Sequence, residues 1–260
     1  MKSLLNQLIR AIGALTIFAC TSGSLESQEK LHVEMLDVGQ GLAILIRSKN
    51  CNSLYDTGPP DSGIDTMLKN RGVKTLCTIL LSHDHSDHAG SLAALEQMAK
   101  NGEIYINRVI LPSEIARGDT LADFLPWTAR ILFPVQGHSM AGNASSVTMR
   151  LSDGLNSFLF TGDLEAEQEK SILELEPLLT VTALQVGHHG SKTSSSWDFL
   201  AQTQPKIALI SAGKNNSYGH PHPETLAKLN LILPDTTQIL RTDTDGNIKI
   251  EWVYGVGMWK

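Results

Sequence analysis

The chain has 260 residues, 42% of them hydrophobic, which is enough for a substantial core and too apolar for a disordered protein. With 21 Lys and Arg against 27 Asp and Glu the net charge is −6, which argues against a generic electrostatic nucleic-acid binder. Cys20, Cys51 and Cys77 lie far apart with no Cys-x-x-Cys pair, so neither a disulfide scaffold nor a cysteine-type zinc ribbon is expected, and Cys51–Cys77 pairing is left open.

Lys2 and Arg10 precede the apolar stretch Ala11 to Ala19, and the chain then turns polar at Cys20-Thr21-Ser22. That order predicts a secretory signal, a lipoprotein-like segment with Cys20 at the cleavage site, or a membrane anchor over residues 1–20. A Ser- and Glu-rich linker follows over 21–30, and one folded domain over 31–260. His32 to Val38 and Leu42 to Arg47 read as a hairpin around Gly39-Gln40-Gly41, and Leu54-Tyr55 ends a third strand. Ile64 to Asn70 is a short helix, Thr78 to Leu81 a strand, Ser91 to Lys100 a helix and Arg108 to Leu111 a strand. Glu114 to Trp127 supports no assignment. Ser146 to Leu151 and Phe158 to Thr161 pair around Ser152-Asp153-Gly154, and Glu165 to Leu175 is helical. Val181 to Val186, Ile207 to Ser211, Gln238 to Thr242 and Ile248 to Val253 are strands, with Glu224 to Leu231 a helix. The four tryptophans read as packing residues rather than a stacking platform, because basic residues do not interleave with them.

Ser82-His83-Asp84-His85-Ser86-Asp87-His88-Ala89-Gly90 directly follows a buried strand, with three histidines and two aspartates inside six residues. Imidazole and carboxylate at that spacing are ligands for zinc or manganese, and a strand ending in a polar turn aims several at one point. Other strands end in the same way, at Asp56, Asp163, His188-His189 and the His220-Pro221-His222-Pro223 loop. Strands ending in acids and histidines, with helices between, suit two sheets flanked by helices and a site along one sheet edge.

His83-x-His85-x-Asp87-His88, with Asp56 before it and Gly162-Asp163 after it, resembles the metallo-β-lactamase superfamily. Within it the chain is similar to the C-terminal domain of the ComEC competence proteins. Asp37-Val38-Gly39-Gln40-Gly41, Tyr55-Asp56-Thr57-Gly58, Asn143-x-x-Ser146, Val186 to Ser194, Tyr218 to Pro223 and Arg241-Thr242-Asp243 carry this similarity, which covers about Leu31 to Trp252. It implies an αββα sandwich of the α+β class, a site for one or two metal ions, and nuclease action on the non-transported DNA strand during uptake. Many transmembrane helices usually precede this domain in the family. Here at most one short apolar segment does, so a channel role is not carried over. Leu42 stands where the family often has an acid.

For this chain the expectation is a pair of divalent ions, zinc or manganese, which would supply local positive charge despite the overall −6. His83, His85 and His88 are candidate imidazole ligands, Asp163 the bridging acid, and Asp87 a ligand to a second ion or the group that orients the attacking water. Of the adjacent pair His188 and His189, one is expected to face the site. His220 or His222 is the last ligand or the proton donor to the leaving group. Lys192, in the turn Ser191 to Ser194, either meets phosphate or belongs to a helix-capping turn before Trp197. Asp56 orients a ligand histidine, and Asp37 and Asn143 supply supporting hydrogen bonds. His138 reads as a loop residue. The leading expectation is a metal-dependent DNA phosphodiesterase acting on single strands, exported and periplasmic or membrane-anchored, with competence-machinery proteins as partners. The alternatives are hydrolysis of a lactone, thioester or β-lactam, and a non-catalytic envelope role.

Overall fold

The computed structural model describes residues 29–136 and 140–259. The expected signal segment, nearly all of the linker and His138 lie outside them. The chain starts with an antiparallel meander, β1 (Lys30–Met35), β2 (Ile44–Arg47) and β3 (Asn52–Tyr55). Alternation sets its faces: Leu31, Val33 and Met35 of β1 are buried while Lys30 and His32 are exposed. After α1 (Ile64–Asn70), β4 (Thr75–Leu80) runs parallel to β3; α2 (Ser86–Ala89) and α3 (Leu92–Lys100) then lead to β5 (Tyr105–Ile110), parallel to β4.

The stretch without a sequence assignment folds as two 3-10 turns around β6 (Thr120–Leu121), and β7 (Thr128–Phe133) follows. β8 (Thr148–Ser152) and β9 (Ser157–Phe160) complete an antiparallel run. The chain then alternates α4 (Ala166–Leu175), β10 (Ala183–Gln185), α5 (Trp197–Thr203), β11 (Ile207–Ile210), α6 (Pro223–Ile232) and β12 (Gln238–Arg241). β9 to β12 are parallel, and β9 and β11 are buried on both faces, as parallel strands between layers must be. Past α7 (Thr242–Asp245), β13 (Ile248–Val253) and β14 (Gly257–Trp259) return to the edge of the first sheet.

Two seven-stranded sheets result, β14-β13-β1-β2-β3-β4-β5 and β12-β11-β10-β9-β8-β7-β6. Phe158, Phe160, Trp127 and Trp252 fill the space between them with Leu31, Val33 and Ile44. Burying a side chain of this size contributes about 1.5–3 kcal/mol. Separate apolar clusters seat α1 and α3 on the first sheet and α4 to α6 on the second, giving the αββα sandwich as one domain. Cys51, just before β3, and Cys77, in β4, are joined by a disulfide.

Asp153 ties the sheets together at the end away from the histidine loops. Its carboxylate accepts from the Leu155 and Asn156 amides of its own turn at 2.9 and 2.6 Å. It also accepts from Trp252 Nε1 at 2.8 Å and the Gly255 amide at 2.9 Å on the other sheet. Partial burial works to raise its pKa, but the N–H donors outweigh it and hold the group below the ordinary aspartate range. A lowered folded pKa stabilises above the unfolded value of about 3.9 and the effect is lost as pH falls through the folded value. Asp153→Asn is therefore expected to cost about 1 kcal/mol at pH 7, allowing for solvent at the turn, with the difference from wild type shrinking at pH 3. Urea unfolding at both pH values checks this; an equal gap at both would contradict it.

Candidate metal centre

Five loops converge at the carboxyl ends of β3, β4, β9, β10 and β11, the edge at which open α/β sheets bind ligands. Asp56, directly after β3, takes a left-handed backbone with φ 60°, a conformation open to aspartate because its short side chain finds local partners. Its buried carboxylate accepts from Ser82 N at 2.6 Å, Ser82 Oγ at 2.7 Å and His88 Nδ1 at 2.7 Å. One acid thus pins the start of the histidine turn and fixes a ring within it. With its Nδ1 proton committed to Asp56, His88 turns Nε2 toward Asp163 Oδ1 at 3.1 Å and His189 Nε2 at 3.2 Å.

His189 is held in the same way from the other side. The Ser211 carbonyl only accepts, so the 2.9 Å contact places a proton on His189 Nδ1 and leaves Nε2 for the site. That Nε2 lies 3.2 Å from Asp87 Oδ2 and 3.5 Å from Asp163 Oδ2. One ligand atom from each of Asp87, His88, Asp163 and His189 falls within 4.8 Å of the others. In the neutral tautomers these are all electron-pair donors crowded together, an arrangement that needs a cation at its centre. Asp163 Oδ1 and His83 Nε2 are also buried without a hydrogen-bond partner. Donor type, crowding and orphaned atoms all fit a divalent ion.

The titration tendencies reflect the same demand. Burial opposes charge on His88, but the Asp163 and Asp56 carboxylates prevail and hold its pKa well above the usual histidine value. Burial likewise opposes ionisation of Asp163, and His189 and His88 reverse it, keeping the acid well below the carboxylate range. Asp87, despite burial, is brought down to about 2 chiefly by its bond with His189. His83 is pushed down to about 3 by burial and then by His88, which keeps its ring neutral. A proton on His88 thus meets the field that a metal ion would meet.

A pocket of about 260 Å³ opens over Asp87, Asp163 and His189, walled by His85, Asn143, His188 and His220. Both members of the adjacent pair face it, correcting the expectation that one would. β10 ends before them, and both have left-handed backbones, φ 49° and 54°, so strand alternation no longer applies. His188 Nε2 lies 3.7 Å from Asp163 Oδ2, and its Nδ1 meets Thr193 Oγ1 at 3.2 Å and Glu165 Oε1 at 3.4 Å. His83 packs behind this wall, 4.5 Å from the His85 ring and 4.2 Å from the His88 ring between centroids.

Three expected site residues lie off the pocket. The His222 ring sits 4.8 Å from that of His220, but its Nδ1 accepts from the Lys192 amide at 3.1 Å. Lys192 is exposed and lines a separate groove beside α5 and α6, so it is not placed to act on a group in the pocket. Asp37 accepts from the Gly39 amide at 3.4 Å in its own turn.

The model for the family described as the metallo-beta-lactamase superfamily matches residues 36–214. The chain belongs to the metallo-β-lactamase superfamily. It is 30% identical to ComE operon protein 3 of Bacillus subtilis, over 94% of this chain and 35% of that protein. It is 36% identical to Recombination protein 2 of Haemophilus influenzae, over 78% of this chain and 27% of that one. The chain thus spans about a third or less of these relatives. Among solved structures, the metallo-β-lactamase-fold protein YhfI of Bacillus subtilis superposes with a TM-score of 0.58 at 13% identity, covering 86% of this chain and all of that one, which shows a shared fold.

One support of this superfamily site comes from a residue that drew no attention in the sequence. Gln185, buried in β10, accepts from the Thr161 and Gly162 amides at 2.7 and 2.8 Å and donates to the Gly162 and Val186 carbonyls at 3.0 and 2.9 Å. It fixes the turn that presents Asp163. Gly162 in that turn has φ 56°, and a Cβ there would stand 2.7 Å from Ser82 Cβ, so only glycine lets the two loops meet. Gln40 and Tyr218 complete the pocket wall. A polar residue in an otherwise apolar strand was the only sequence signal for Gln185.

Proposed function

We propose that this chain is a metal-dependent phosphodiesterase that cleaves DNA, with single strands as the substrate. The observation that carries the reading is the set of four donor atoms, three of them from residues that line an open pocket. Relatives whose names speak of competence and recombination direct it toward DNA. Asp87, His88, Asp163 and His189 would hold a divalent ion, zinc or manganese, and His83, His85 and His188 are the residues that would hold a second. When bound, these ions supply Lewis acidity toward the phosphoryl oxygens and make a water nucleophilic at neutral pH.

The protein's own groups then do the positioning. Asp56 and the Ser211 carbonyl keep His88 and His189 in the tautomers that turn Nε2 to the pocket, support of a kind worth 10–100-fold in affinity or activity. The Gly213 amide donates to Gln40 Oε1 at 3.1 Å, which turns the Gln40 amide nitrogen toward His220 Nδ1 at 3.3 Å. A neutral His220 therefore carries its proton on Nε2, and from there it donates a hydrogen bond to the leaving oxygen as negative charge develops on it. The same reading puts the chain in the bacterial envelope, exported or anchored through its N-terminus and working beside competence-machinery proteins. Among the described residues no helix is long and apolar enough to cross a membrane.

The test is cleavage of end-labelled single- and double-stranded DNA by the full chain with manganese, zinc, magnesium or chelator. Metal-dependent cleavage that favours single strands is expected. Metal-loaded protein that leaves DNA intact but opens a lactone, thioester or β-lactam would transfer the site to a small substrate.

A further inference from the structure

Trp127 and Trp252 are buried between the sheets, whereas Trp197 is 53% exposed, contrary to its expected packing role. It lines a groove of about 470 Å³ with Lys192, Glu224, Lys228 and Leu231, and Leu231 is itself 75% exposed. Lys192 is the exposed cation of this groove, since Lys228 is engaged by backbone carbonyls. Tyr218, 66% exposed, stands at the pocket wall with its ring stacked on His220, centroids 5.7 Å apart and planes at 21°.

A short relay of residues links the groove to the pocket wall. The His220 ring neighbours that of His222, and His222 Nδ1 accepts the amide of Lys192, whose side chain enters the groove. Both aromatics stand on fixed backbone. Asn216 braces the Tyr218 loop, accepting from the Tyr218 and His220 amides at 3.1 and 3.0 Å and donating to the Gly213 carbonyl at 2.8 Å. Buried Glu169 accepts from the Ser195 and Ser196 amides at 2.6 and 2.8 Å just before Trp197, and Lys228 Nζ donates to the Ser194 and Ser195 carbonyls at 3.2 and 2.8 Å. Rigid, uncovered aromatic faces beside a lysine are what unpaired bases stack on, since every base has a flat face and a duplex hides it.

We infer that Tyr218, Lys192 and Trp197 form a track for single-stranded nucleic acid leading out of the pocket. Tyr218 stacks the base beside the scissile phosphate, Lys192 meets the next part of the backbone, and Trp197 stacks a base further along. This rests on the phosphodiester reading of the pocket and adds the strand preference to it.

The experiment is fluorescence anisotropy of a labelled 12-nucleotide phosphorothioate strand, chosen to resist cleavage, on the full chain with manganese. Trp197→Ala and Tyr218→Ala are each expected to weaken binding about tenfold, while Trp197→Phe and Tyr218→Phe stay within about threefold. Lys192→Met should lower the slope of log affinity against log salt by about 0.7. The matching duplex should bind at least about tenfold more weakly and be indifferent to the aromatic changes. Unchanged affinity in both alanine variants, equal binding of duplex, or no binding by wild type would overturn the track. Aromatic-dependent binding without cleavage by any metal would keep the track and remove the nuclease reading.

Discussion

Asp163→Asn is expected to lower cleavage of single-stranded DNA by about 10³-fold or more while leaving the fold intact. The acid touches three histidines at once: His88 at 3.1 Å, His189 at 3.5 Å and His188 at 3.7 Å. An amide of the same shape keeps the backbone bond from Asp163 N to Ser146 Oγ, so the turn should survive. What it lacks is the negative charge between the two histidine sets. A catalytic metal contributes several kcal/mol to transition-state stabilisation, and each 1.36 kcal/mol is a factor of ten, which gives the expected size. Turnover, together with metal per chain by mass spectrometry, checks it. A variant within tenfold of wild type and fully metal-loaded would remove Asp163 from the centre.

His220→Ala is expected to lower kcat on DNA about 10²-fold, at the lower end of what a positioned hydrogen-bond donor to developing charge contributes. Its ring lies 5.5 Å and 6.0 Å from those of His188 and His189, on the wall of the pocket that Asp87 and Asp163 also line. A p-nitrophenyl phosphodiester, whose leaving group departs without a proton, should lose far less. Gln40→Leu should give a smaller loss in the same pattern, since Gln40 acts through the His220 tautomer. Equal losses on both substrates would make His220 a binding residue instead of a hydrogen-bond donor to the leaving oxygen.

The sandwich was legible where side-chain period and burial agree. β1 alternates polar with buried apolar residues, β9 and β11 are short apolar runs bounded by turns, and Ile64–Asn70 and Ile248–Val253 fall where their patterns put them. β7 was not, because Pro126 and the irregular 3-10 segment before it hide where the strand begins, and Thr128 and Arg130 interrupt its apolar run. α5 was legible only as one reading of the polar turn before Trp197, where Ser196 caps it by accepting from the Phe199 amide.

At the site, strand-end acids and histidines announced themselves because each follows a buried apolar run. Their partition did not. His188 and His189 both reach the pocket through left-handed backbone that residue type does not signal, and His222 turns away because it accepts a bond from an amide 30 residues earlier. Gln40 meets His220 across 180 residues of chain, a contact that only the closed sandwich creates.

The most direct measurement is anomalous diffraction from crystals of the full chain grown with manganese or zinc. The expected result is a peak about 2.0–2.2 Å from a carboxylate oxygen of Asp163 and from His189 Nε2, with Asp87 and His88 closing around it. A map with the four side chains placed as described but with no peak among them, or with peaks confined to surface acids, would contradict a metal centre at this site.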